Sequence, residues 1–132
     1  MELLPVMPFK LHCPSPKQAV EQLQVHLARH NSFRPVADDV FLAVIEAIGN
    51  AIEHTGAPYT VSVTANNKRV TIDITDYGTG FALDYREMPS PFAEHGRGIP
   101  IIKSLVDHVE YKKGKNGNRL RLRKELNRSM GA

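Results

Sequence analysis

The chain has 132 residues, 42% hydrophobic and 23% charged, with a formal net charge of +3 and a single cysteine. This is the composition of a folded globular protein and excludes a disordered chain, while the length predicts one domain over residues 1–132 with one core and no separate substrate domain. No apolar run approaches the roughly 20 residues of a membrane span, and Cys13 alone permits no internal disulfide.

The N-terminus, MELLPVMPFK, lacks a basic lead and carries a proline inside its short apolar run. It makes a poor signal peptide, and the lone thiol fits a reducing compartment, so the expectation is a cytoplasmic protein without membrane contact. Leu4–Cys13 reads as a first strand with Phe9 and Leu11 on one face. Ser15 is a plausible N-cap and Pro16 a good first helical residue, opening a helix to about His30 with Val20, Leu23 and Leu27 facing the core. Asn31–Pro35 reads as a connector.

A second helix follows over Asp38–His54, stopped by Gly56. Val40, Phe41, Val44, Ile45, Ile48, Ala51 and Ile52 recur at helical spacing and predict one broad buried face. Glu46, Asn50, Glu53 and His54 fall at i, i+4, i+7 and i+8, which brings carboxylate, amide and imidazole onto one stripe. Tyr59–Ala65 and Arg69–Thr75 alternate as strands joined by a turn at Asn66 and Asn67. Phe81–His95 holds two prolines and little periodicity and reads as a long loop or lid. Gly98–Val109 predicts a helix with Ile101, Ile102, Leu105 and Val109 inward. Tyr111–Lys113 and Arg119–Glu125 then pair across the Gly114–Asn118 turn.

Strands that arrive mainly as hairpins predict an α+β two-layer sandwich, its sheet mixed or mostly antiparallel and covered by helices on one face. Eight Lys or Arg lie between Lys112 and Arg128 against one acid, Glu125. The alternating Arg119, Arg121 and Arg123 read either as a solvated sheet edge or as a docking surface for an acidic protein. No aromatic residues interleave with them, so no direct nucleic-acid contact is expected.

Three elements carry chemistry. An amide oxygen such as that of Asn50 is a hard ligand suited to magnesium, and a carboxylate one turn away, Glu46, can accept a proton from an attacking hydroxyl. Asp76-Tyr77-Gly78-Thr79-Gly80 stands where a strand ends. Its glycines permit close approach of a ligand, and its carboxylate can accept from an exocyclic amine such as that of adenine. His95-Gly96-Arg97-Gly98-Ile99 opens a helix whose free N–H groups and dipole favour phosphate. The glycine spacing differs from the dinucleotide fingerprint and from the phosphate-binding loop with its Lys-Ser/Thr.

Taken together and in order, E-x-x-x-N-A-x-x-H (Glu46, Asn50, Ala51, His54), D-x-G-x-G (Asp76, Gly78, Gly80) and G-x-G (Gly96, Gly98) resemble the N, G1 and G2 boxes of the Bergerat-fold ATPase superfamily. VIEAIGNAIEH and GRGIPIIKSLVDHVEY look most like the bacterial anti-sigma factor serine/threonine kinases. The resemblance implies the Bergerat fold, ATP and Mg2+ as cofactors, Glu46 as general base and Asn50 as metal ligand. It implies Asp76 on the adenine amine, Gly78 and Gly80 shaping its pocket, and Gly96, Arg97 and Gly98 on the phosphates. Phe81–His95 would be the ATP lid, and His54 a support of the helix end. It further implies an anti-sigma antagonist as the phosphorylated partner, a sigma factor as a second partner, and a homodimer. The alternative is a nucleotide-holding switch module that phosphorylates nothing. Three positions depart from the family pattern: Gly49 in mid-helix, Pro100 after the last glycine box, and Gly117-Asn118-Arg119 in place of Gly-Thr. Asn118 can donate and accept, so it joins the candidate adenine-pocket residues.

Overall fold

The computed structural model describes residues 6–27, 31–55, 58–77 and 98–126. Five strands form a sheet in the order β1-β2-β3-β5-β4, where β1 is Val6–His12, β2 Tyr59–Ala65, β3 Arg69–Asp76, β4 His108–Lys112 and β5 Asn118–Glu125. Every neighbouring pair is antiparallel, so the sheet is the purely antiparallel form of the one expected. The helices are α1 (Pro16–Leu27), α2 (Ala37–Thr55) and α3 (Gly98–Leu105), with a short 3-10 turn at Arg34–Val36 in the expected connector.

Local chemistry accounts for most of the boundaries. Ser15 Oγ accepts from the Gln18 backbone N–H at 3.1 Å while Gln18 Oε1 accepts from the Ser15 N–H at 2.9 Å, a reciprocal cap that starts α1. Asn66 Oδ1 accepts from the Lys68 and Arg69 N–H groups at 2.7 and 3.0 Å and so turns the β2–β3 hairpin. Pro100 sits inside the first turn of α3, where its missing N–H forfeits no helical bond.

The core lies between the sheet and the helices. Ala19, Leu23 and Leu27 of α1, Val40, Val44 and Ile48 of α2, and the alternating Val70, Ile72, Ile74, Leu120 and Leu122 of β3 and β5 are all buried. α2 is the central helix, flanked by α1 and α3 and resting on β3. Phe33 is buried beneath the entry to α2 and meets Phe41 edge-on at 5.8 Å.

Two expectations are corrected. The third helix ends at Leu105, not Val109. Lys124 Nζ donates to the Leu105 carbonyl at 2.8 Å, and the Asp107 N–H turns to the Arg123 carbonyl at 2.9 Å. Sheet pairing along β5 thus claims His108–Lys112, so Val109 belongs to a strand. Ile45, Ile52 and Ile101, expected inside, are exposed. The two on α2 face away from the sheet, because Val44, Ala47, Ile48 and Ala51 already fill its inner face. Among the described residues, no helix is long and apolar enough to cross a membrane.

Candidate functional site

On the helix-covered side of β3 the inward positions run Val70, Ile72, Ile74 and then Asp76. A carboxylate thus takes the place where the apolar row would continue, and it is only 4% exposed. Its neighbours in the ladder are Tyr59 on β2 and Asn118 on β5. Asn118, also 4% exposed, donates its Nδ2–H to Asp76 Oδ1 at 3.0 Å. The Tyr59 hydroxyl donates to the Pro14 carbonyl, and burial pushes this phenol up from its ordinary range.

Gly117 permits this closeness. Its φ is +130°, and a Cβ there would stand 3.0 Å from Thr75 Cγ2 and 3.1 Å from the Asp76 carbonyl. Only glycine lets β5 begin so tightly against the end of β3. Tyr77, the next residue, leaves its ring half exposed beside the same corner.

The chain path brings α2 to this corner. Three residues separate Thr55 at the end of α2 from Tyr59, the ladder partner of Asp76. Asn50, little more than a turn before that end, is 7% exposed. No described residue hydrogen-bonds its side-chain amide. Glu46, one turn earlier on the same stripe, is half-buried.

α3 comes from the opposite direction. Lys124 Nζ joins the Leu105 carbonyl at the end of α3 to Asp39 Oδ2, at 3.5 Å, near the start of α2. The end of α3 therefore lies near the start of α2, against which α3 packs. The first turn of α3 carries no acid, so none of its own side chains offsets the positive end of its dipole.

Asp76 and Asn118 thus meet at one end of the sheet, and the chain path from Asn50 leads into Tyr59 beside them. Gly78, Gly80, Gly96, Arg97 and the Phe81–His95 stretch lie outside the described residues, as does the side chain of His54. Asn118 was expected as a member of the pocket, and the structure adds what spacing does not reveal, its place opposite Asp76. Gly117 was noted only as a departure from a pattern. Its positive φ follows from a pairing between strands that are not consecutive.

The donor set suits a hydrated cation more than a closed protein site. Among the described residues no three His, Cys, Asp or Glu side chains could hold a metal ion. An amide oxygen with a nearby carboxylate would supply one or two positions of an octahedron and leave the others to water and phosphate, as magnesium prefers.

Comparison with known proteins agrees with the arrangement. Residues 14–124 match the histidine kinase-like ATPase domain family. The chain is 32% identical over 101 residues to the anti-sigma F factor of Clostridium acetobutylicum, covering 67% of this chain and 70% of that protein. Its fold is similar to the crystal structure of the RsbU and RsbW domains of a Mycobacterium tuberculosis protein, with a TM-score of 0.64 at 18% identity. That match covers 91% of this chain, which spans 32% of the longer one. The chain therefore belongs to the histidine kinase-like ATPase domain family and, within it, to the anti-sigma factor family.

Proposed function

We propose that the protein is a single-domain, cytoplasmic, ATP-dependent serine/threonine protein kinase that phosphorylates an anti-sigma antagonist. A sigma factor is its second partner, and it works as a homodimer. The observation that supports this most is Asn50: a deeply placed amide with a half-buried carboxylate one turn away, on the helix that leads into Tyr59, the ladder partner of Asp76. Relatedness to a protein named an anti-sigma factor supports the choice of partner class.

In this reading ATP and Mg2+, when bound, supply the γ-phosphoryl group and the charge that offsets its oxygens. Asp76 accepts a hydrogen bond from the exocyclic amine of adenine, and Asn118 holds the Asp76 carboxylate in place. Gly78 and Gly80 shape the base pocket. Asn50 offers its amide oxygen to the cation. Gly96, Arg97 and Gly98 serve the phosphates through backbone N–H groups and the guanidinium. Glu46 would take the proton from the partner's serine hydroxyl as that oxygen bonds to the γ-phosphorus and the bond from phosphorus to the bridging oxygen of ADP breaks, releasing ADP. Phosphoryl transfer needs mainly position and charge from a protein, which so small a site can provide.

Transfer of labelled γ-phosphate from ATP to a purified anti-sigma antagonist tests the proposal. Glu46→Ala is expected to lower the rate about 100-fold or more while ATP still binds. Undiminished transfer by this variant would remove Glu46 from its role. ATP binding by the wild type with no transfer to any antagonist would instead favour the switch module.

A further inference from the structure

The outer face of α2 carries an unexplained feature. Leu42, Ile45 and Ile52 are 51%, 37% and 50% exposed, and they fall with Gly49 on one stripe of the helix. Isolated exposed apolar residues are ordinary, but three at i, i+3 and i+10 along one helix face form a continuous strip about 15 Å long. Gly49 lies within it. A Cβ built at Gly49 meets nothing within 4 Å, so no neighbour inside the chain requires glycine there. Glycine in mid-helix is nevertheless less favourable than alanine. A small residue between apolar ones is what lets a second helix approach closely.

We infer that the Leu42, Ile45, Gly49 and Ile52 stripe of α2 is the docking face for a basic amphipathic helix of a partner protein. Charge selects that occupant. α2 carries Asp38 and Glu46 beside this stripe and no Lys or Arg, while its Asp39 is met by Lys124. Asp38 extends the stripe at its N-terminal end, and Glu46 borders it on the side that leads to Asn50. A second copy of α2 would set carboxylates against carboxylates. An anionic membrane or a nucleic acid would meet the same repulsion. A helix with apolar residues at i, i+3, i+4 and i+7, flanked by Lys or Arg, satisfies both the apolar strip and its acidic border. This inference does not depend on nucleotide binding.

A displayed library of four-turn helices tests it, with apolar residues fixed at those positions and all others drawn from Lys, Arg, Asp, Glu, Gln and Ser. Selection is against the whole chain. The selected helices should be enriched in Lys and Arg, and Ile45→Ser or Ile52→Ser should weaken them at least tenfold. Gly49→Ala separates docking from folding. It should raise Tm by about 3–6 °C, because its methyl group meets open space and relieves the glycine cost, yet weaken the selected helices. Circular dichroism confirms that each variant is folded. The inference is overturned if no helix is selected, if the winners show no basic bias, or if they bind the α2 variants as well as wild type. It is equally overturned if the free protein sediments as a dimer that Ile45→Ser dissociates, which would assign the face to a second copy.

Discussion

Two aspartates on β3, three residues apart, face opposite sides of the same sheet and both look across to β5. On the open side Asp73 accepts from Arg121 Nε at 2.7 Å and from a terminal guanidinium nitrogen at 2.9 Å. This forked pair uses both carboxylate oxygens and holds the Arg121 guanidinium above its already high ordinary value. On the covered side Asp76 meets the Asn118 amide, a neutral donor on a single oxygen. The first pair cancels its own charge. The second sets a buried carboxylate against a neutral amide, in a place where a carboxylate is costly to bury. The contrast sets a charge-paired contact on the open side against a buried carboxylate–amide contact on the covered side.

The sharpest way to break the contrast is at Gly117. Gly117→Ala puts a methyl group at a backbone φ of +130° and against Thr75 and Asp76. We expect a loss of about 2–3 kcal/mol in urea unfolding, together with weaker ATP binding, because the strain falls on the segment of β3 that delivers Asp76. Asn118→Ala comes next. Removing the donor to a buried carboxylate should cost about 1–2 kcal/mol of stability and weaken ATP binding about tenfold by calorimetry, whereas Asn118→Thr, which keeps a hydroxyl donor, should recover part of both. Asp73→Ala belongs to the other side. It should cost about 1 kcal/mol, since the pair is partly exposed, and leave ATP affinity unchanged.

The smallest effect lies at the far edge of the open face, where Glu110 contacts His108 at 3.3 Å and Arg119 at 3.7 Å. Hydrogen bonding from His108, with Arg119 and Lys112 adding attraction, holds the Glu110 carboxyl below its ordinary range. A lowered pKa stabilises the fold above the unfolded value, near 4.5, and that contribution is lost as pH falls through the folded value. Glu110→Gln should therefore lower Tm slightly at neutral pH. The difference from wild type should close in acid.

Much of this fold is legible in the residues. The Ser15 cap, the Asn66 turn and the alternation of β2 and β3 are local signals, and each appears where local chemistry puts it. The Glu46 and Asn50 stripe is equally local, a matter of one helical turn. The Asp76 to Asn118 contact is not, because β3 and β5 are separated by α3 and β4, and no spacing within either strand announces their register. The α3 boundary escapes for a similar reason. Ile101, Ile102, Leu105 and Val109 fit a helical period, but pairing with β5 claims the last of them. Ile45 and Ile52 mislead in a more useful way, since their apolar character predicts burial that this chain does not provide.

The most direct measurement is a calorimetric titration of Mg2+ and ATP into wild type, Asp76→Asn and Asp73→Asn, run side by side. The account predicts binding to wild type, a loss of about 10–100-fold for Asp76→Asn, and affinity within twofold of wild type for Asp73→Asn. Equal affinity in Asp76→Asn, or an equal loss in Asp73→Asn, would contradict it.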